Sequence, residues 1–306
     1  MGDLSLESLA QRFQRFARLE CHGSSPLYER LSLDIAADQL MLAMSAHAQR
    51  GQPVPNLFFA AVHWLLLKGV EHPISNFYPS VSETVAHNEN PYPYFRSFCL
   101  EWKEEIIKLI TTRLVQTNVV RRSACLLPAF GLVSQQSQTI PPFLSLVEIG
   151  ASAGLNLLWD LYGYNYGEGL YYGDHSSPVQ ISCATHGDRP LPIPSMYPRV
   201  GYRVGLELNP IDVNDSESTL WLRALVWPEH QDQANLLQNA IRLAQQDPPQ
   251  LIDGNALALL PDSYLPRPRT QPYAYFILIL STNSLRKNVN FCPPWLLNME
   301  QSATYF

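Results

Sequence analysis

The sequence predicts an α/β protein: a helical N-terminal region followed by a doubly wound parallel sheet. Up to about Arg122, apolar residues recur at helical spacing. Beyond it come four short apolar runs, LSLVEIG, RVGLEL, PPQLID and YAYFILIL, as strands buried in a parallel sheet require. Helical patterns lie between these runs, and strands alternating with helices imply right-handed crossovers.

In the N-terminal region, Ser25-Pro26 reads as an N-cap followed by proline at the first helical position, where its missing N–H costs nothing. From Leu33 to Ala48 a stripe of Ile35, Leu40, Met41, Met44 and Ala48 predicts a helix, which Gly51-Gln52-Pro53 ends. NLFFAAVHWLLLKG is apolar on almost every face and predicts a helix buried at the centre. HPISNFYPS and HNENPYPYF read as connections. A further helix is expected over Phe95–Val115, with Phe98, Trp102, Ile106 and Leu109 on one side. LPAFGLVSQQSQTIPPF reads as a polar linker closed by two prolines.

After the first strand, the stretch from Tyr162 to about residue 200 is too long for an ordinary connection, and its Tyr/Gly content predicts a β-hairpin insertion. Asp215 or Ser216 caps a helix carrying Leu220, Trp221, Leu222 and Leu225. Pro228 opens another through Ala234, Leu237, Ile241 and Ala244, stopped by Asp247-Pro248-Pro249. The expected organisation is a helical region, 1–122, and an α/β domain, 123–306, with a β-rich insertion at about 162–200.

Composition narrows the function. The 306 residues are 46% hydrophobic and 16% charged, enough to bury a sizeable core. A formal charge of −6 and a pI near 5.7 argue against nucleic-acid binding, which needs basic surface. The five cysteines are scattered without a CxxC pair, as in a reducing compartment. No signal peptide or membrane-spanning run is seen, so the expected location is the cytoplasm, away from membranes.

The chemistry concentrates in LVEIGASAGLNLLWD, which reads as a strand, a small-residue turn and the start of a helix. In an open α/β sheet such a turn faces the ligand crevice. The dinucleotide pattern GxGxxG finds Gly150, Ser152 and Leu155, one match in three. The pattern acid-x-Gly-x-Gly-x-Gly finds Glu148, Gly150, Ser152 and Gly154, three in four, and favours S-adenosylmethionine. Glu207, ending the next strand in GLELNP ahead of Asn209, is placed to accept from two ribose hydroxyls. Glu148, Gly150, Ser152, Gly154 and Asn156 would shape the methionine side, and Gly254-Asn255 would lie near the adenine.

Weaker signals read as structure. His63 is expected to be a hydrogen-bonded core residue, and Asp174 a turn-stabilising aspartate. Trp159, Tyr162, Tyr164 and Tyr166 wall a pocket or pack a hairpin face equally well. Cys183 and His186 form a CxxH pair beside Asp174 and His175, but no second matched pair accompanies it, so no metal is expected.

SSPLYERLSLDIAADQLMLAM, VEIGASAGLNLLWD, YYGDHSSPV, GLELNPIDVND and WLRALVWPEH resemble a bacterial family, domain of unknown function 2332, from about Ser24 to Leu260. The resemblance implies a class I methyltransferase-type, Rossmann-like fold behind a helical N-terminal region. It adds Thr117, Asn118 and Arg122 to the cofactor-binding set. The chain departs from the family pattern with Val119 where an acid is usual and with Gly254-Asn255 where Gly-Asp is usual. After Ala274 the family continues with further strands and helices, whereas this chain stops at Phe306, which predicts a truncated or frame-disrupted member with an incomplete sheet. The second expectation is therefore a non-catalytic interaction or ligand-sensing protein that keeps the fold.

Overall fold

The computed structural model describes residues 5–84, 89–134, 142–185, 191–193 and 196–259, and the backbone of 273–277. These fall into two compact units, one drawn from Met1–Gln116 and Leu220–Gln231, the other from Thr117–Thr219 and Asp232–Leu280. The chain is mixed α/β, with a helical N-terminal part and a parallel sheet.

The helical unit opens with α1 (Leu6–Phe16), capped by Ser5, which runs into a π-helical segment, Ala17–Cys21. Helix α2 (Pro26–Ile35) begins as its sequence requires, with Ser25 accepting from the Tyr28 N–H and proline in the first turn. The stripe expected to continue to Ala48 is broken. Asp38 caps a separate α3 (Gln39–Ser45), accepting from the N–H groups of Leu40 and Met41. Helix α4 (Val54–Leu67) is buried on nearly every face, and Tyr28 stacks on its Phe59 at 4.2 Å between ring centres. The single helix expected over 95–115 is two, α5 (Tyr92–Glu101) and α6 (Lys103–Thr112), meeting at Trp102, whose φ of −103° and ψ of 28° leave the helical region.

In the second unit, part of the expected linker folds as α7 (Ser123–Ser134), with Pro128 inside it. Burial of Leu126, Leu127, Pro128 and Phe130 outweighs the hydrogen bond that the proline removes. Strand β1 (Phe143–Ile149) follows, and the chain then forms a 3-10 segment, Leu155–Leu161, where an α-helix was expected. The insertion is a small sheet in the order β3-β2-β4, from β2 (Gly163–Asn165), β3 (Tyr171–Gly173) and β4 (Gln180–Ser182). The expected hairpin is β2 with β3, antiparallel; β4 adds parallel to β2.

Strand β5 (Arg199–Glu207) starts four residues before the apolar run. Helix α8 (Ser216–Ala224) follows, with Asp215 accepting from the Glu217 and Ser218 N–H groups, and then α9 (Gln231–Gln246). Strand β6 (Gln250–Asp253), the short α10 (Ala256–Leu259) and β7 (Tyr273–Ile277) complete the described elements. All four expected runs form one parallel sheet in the order β6-β5-β1-β7. Two strands are added on one side of β1 and the last on the other, so the order reverses beside β1. The crevice at such a reversal is where open α/β sheets bind ligands. The expectation of a missing tail concerns residues past 277, outside those described.

Candidate functional site

The carboxyl end of β1 runs into a turn with three left-handed residues in alternate positions: Gly150 at φ 75°, Ser152 at 55° and Gly154 at 72°. These are the three slots of the acid-x-Gly-x-Gly-x-Gly pattern, and Ser152 adopts the glycine conformation although it is not glycine. That conformation costs an L-residue about 1–2 kcal/mol and persists only where the surroundings impose it. Here the Ser152 N–H donates to Glu207 Oε2 at 2.8 Å, and its carbonyl accepts from the Ile211 N–H at 3.1 Å. Gly205 lets the turn lie on the sheet, since a Cβ there would come within 2.5 Å of the Ala151 Cβ. Gly154 is closed in the same way, by Pro249 Cγ at 2.8 Å, whereas a Cβ at Gly150 would meet nothing within 4 Å. The turn is packed against β5 and β6 and open at the strand's tip.

Below the turn, Glu148 is 1% exposed. Asn156 hydrogen-bonds to its carboxyl, and Ser123 Oγ donates to Asn156 Oδ1 at 3.2 Å. Burial pushes the Glu148 carboxyl up to about 8, against the Asn156 hydrogen bond and the Arg122 charge, with Glu207 adding to the rise. Asn118 donates from Nδ2 to the Ala151 carbonyl at 2.9 Å, tying the segment before α7 to the turn. Three buried polar atoms have no hydrogen-bond partner here: Glu148 Oε2, Ser152 Oγ and Asn118 Oδ1. Native interiors leave few such atoms unmet, and others occur away from the turn, at Ser32 Oγ, Trp64 Nε1, Trp102 Nε1 and Trp159 Nε1.

The remaining sequence-derived residues sit on the β5–β6 side and are more fully engaged. Glu207 accepts from three backbone N–H groups: Ser152 on Oε2, and Leu208 (2.8 Å) and Asn209 (3.2 Å) on Oε1. It clamps the turn, leaving Oε2 with room for one hydroxyl rather than the two expected. Asn209 is exposed beside it. The Gly254 N–H donates to the Glu207 carbonyl at 2.9 Å. Asn255 spends its amide oxygen on the Leu257 N–H at 2.9 Å, capping α10. Asn255 is one of the two residues expected near the adenine. Thr117 is half-buried next to Asn118, and burial lowers Arg122 while Glu148 offsets the fall. A shallow apolar recess of about 230 Å³ lies beside the turn, lined by Ala153, Ile211, Val213, Pro249 and Leu251 among others. None of the three orphaned atoms belongs to its lining.

Residues 10–279 match the model of a family described as an uncharacterized protein conserved in bacteria, DUF2332. The chain belongs to that family. No curated protein and no solved structure matches it.

In this DUF2332 chain the other described candidates are hydrogen-bonded within the fold. The hydroxyls of Tyr162, Tyr164 and Tyr166 donate to the carbonyls of Leu155, Trp159 and Ala124 at 2.5–2.6 Å, so these rings form a packed face and not a pocket wall. Asp174 Oδ1 accepts from the Ser176 N–H and hydroxyl, which holds its carboxyl below the usual range and fixes a turn. His63 is buried, with Nδ1 on the Ala224 carbonyl (2.9 Å) and Nε2 on Ser80 Oγ (2.7 Å); burial lowers it to about 4, so it is neutral. His186 lies outside the described residues, and among those described no three His, Cys, Asp or Glu side chains group as a metal site. Nor is any described helix long and apolar enough to cross a membrane. Sequence reading missed Ser123, which supports Asn156 from 33 residues away in the chain. It also missed Arg203, which forms a two-pronged ion pair with Asp160 at 2.8 and 3.0 Å and donates to the Leu157 carbonyl, fixing the 3-10 segment to β5.

Proposed function

We propose that the chain binds S-adenosylmethionine at the end of β1, as a methyltransferase of Rossmann-like fold or a descendant of one. The observation that carries this reading is Ser152, held in a left-handed conformation between left-handed Gly150 and Gly154 at the order reversal of a parallel sheet. A strained turn at a strand end is retained where close approach of a ligand needs it. The residues fit the group at its amino-acid end, where Glu148, Ser152 and Asn118 offer the three unmet buried atoms and Arg122 brings a positive charge. Gly150 leaves the backbone open to approach, and Glu207 would hold one ribose hydroxyl. The bound cofactor would supply an electrophilic methyl group, and the chain's part would be to orient it and exclude water.

The same geometry disfavours a dinucleotide. A pyrophosphate would need the turn's N–H groups, and that of Ser152 is already committed to the Glu207 carboxylate. The Glu207 carboxylate beside the turn would also repel phosphate.

Calorimetric titration of the folded chain with S-adenosylhomocysteine tests the reading. Saturable binding that weakens on Gly150→Val supports it; no heat from folded protein removes it. A second reading, a non-catalytic interaction or ligand-sensing protein, is favoured by one observation. Glu207 accepts from three main-chain N–H groups and Asn255 Oδ1 from one, so part of the acceptor capacity expected for the adenosine side is taken by the chain's own backbone. That reading predicts no affinity even after Asn255→Asp and Val119→Asp restore the family pattern.

A further inference from the structure

One peptide of the β1 turn is held at both ends by side chains. The Ala151 carbonyl accepts from Asn118 Nδ2 at 2.9 Å, and the Ser152 N–H, the other end of the same peptide, donates to Glu207 Oε2 at 2.8 Å. A trans peptide points its C=O and N–H in opposite directions, so the two side chains hold the plane from opposite sides. They come from distant parts of the chain, 33 residues before Ala151 and 55 residues after Ser152. A carbonyl only accepts, which fixes the Asn118 amide with its nitrogen toward Ala151. The Gly154 N–H also reaches the Ala151 carbonyl, at 2.7 Å, but that bond is internal to the turn. Among the described residues, Asn118 and Glu207 are what tie this plane to the rest of the fold.

Without those two contacts the plane has a reason to turn over. Ser152 sits at φ 55°, a region that disfavours an L-residue. Rotating the peptide by half a turn changes ψ of Ala151 and φ of Ser152 together and carries Ser152 back to negative φ. It also aims the Ala151 carbonyl at the Glu207 carboxylate and leaves the Asn118 nitrogen without its acceptor. We propose that Asn118 is a positioning residue of the ligand site: with Glu207 opposite, it keeps the Ala151–Ser152 peptide in the strained orientation that the ligand meets. The inference rests on the cofactor reading above and adds how the turn is kept ready for the ligand.

Burial makes the Asn118 contact count. Asn118 is 8% exposed and Ser152 2%, so water is a poor replacement for a donor lost there. Without Nδ2 the Ala151 carbonyl keeps only the bond from within the turn, and the strain at Ser152 then biases the peptide away from the held orientation. Removing the strain should therefore compensate for removing the donor. A side chain that only touched the ligand or filled space would gain nothing from a glycine at position 152.

The test is a double-mutant cycle on the full chain. Asn118→Asp keeps the size of the side chain and its acceptors but has no N–H to donate, and Ser152→Gly puts at the turn a residue at ease with positive φ. In titrations with S-adenosylhomocysteine, Asn118→Asp should lose about tenfold in affinity, but only about twofold when both chains compared carry Ser152→Gly. Equal losses in the two backgrounds would overturn the proposal and leave the cofactor reading standing. The second readout needs no ligand: amide hydrogen-exchange protection at position 152, followed by NMR. Asn118→Asp should lower it about tenfold, and adding Ser152→Gly should restore most of it. Unchanged protection in Asn118→Asp would overturn the clamp. Ser152→Gly alone leaves position 118 intact, and lower protection there than in the wild type would contradict the strain. No binding by any of the four chains would remove the cofactor reading, and Asn118's part in it, whatever the exchange shows.

Discussion

Two buried titratable side chains, one in each unit, show how differently the same physics can be used. His63 in the helical unit has both ring nitrogens partnered, by the Ala224 carbonyl and Ser80. Glu148 in the α/β unit has one oxygen partnered and one orphaned at a strand end. Burial favours the neutral form of both, lowering the histidine to about 4 and raising the carboxyl to about 8. The histidine is complete as it stands and belongs to the core. The glutamate stands beside a strained turn with one oxygen unmet. Two other carboxylates have a partner on each oxygen. Glu229 in the helical unit accepts from Ser25 Oγ and the Leu27 N–H, and Glu207 in the other unit accepts from three N–H groups.

The sharpest way to break this comparison is pH, because the two groups push stability in opposite directions. For Glu148 the folded value lies above the unfolded one, so its contribution is full below about 4.5 and is lost as pH rises through about 8. At about 1.4 kcal/mol per pH unit the loss reaches at most about 5 kcal/mol, and Glu148→Gln should abolish it in urea unfolding series. For His63 the folded value lies below the unfolded one, so stability is full above about 6.5 and falls as pH drops toward about 4. The loss there is at most about 3 kcal/mol and should vanish in His63→Gln.

Glycine substitutions sharpen the contrast further. Gly154→Ala puts a Cβ against Pro249 in a left-handed residue and should cost about 2–3 kcal/mol. Gly23→Ala in the helical unit, left-handed but with nothing within 4 Å, should cost only about 1 kcal/mol. The smallest effect has the opposite sign. Ser152→Gly relieves the strained turn and should raise stability by about 1 kcal/mol in thermal or urea unfolding.

Much of the fold was legible because strand and helix periods are local. LSLVEIG, RVGLEL, PPQLID and YAYFILIL all became strands of one parallel sheet. The helix breaks at Asp38 and Trp102 were not, since the apolar stripe carries on across them and the breaks are set by caps and packing. Pro128 misled in the other direction: a proline read as linker sits in a helix whose apolar neighbours are buried. At the site, the glycine slots were readable from spacing. The occupation of Glu207 and Asn255 was not, because their partners are main-chain N–H groups that composition cannot announce.

The central claim is that the unmet atoms around the β1 turn exist for a ligand. It is tested most directly by a crystal structure of the chain grown with S-adenosylhomocysteine. The expected result is ligand density over Gly150 with its ammonium end against Glu148, Ser152 and Asn118. Density only in the apolar recess at Ala153 and Pro249, or a turn whose three atoms are met by the protein itself, would contradict it.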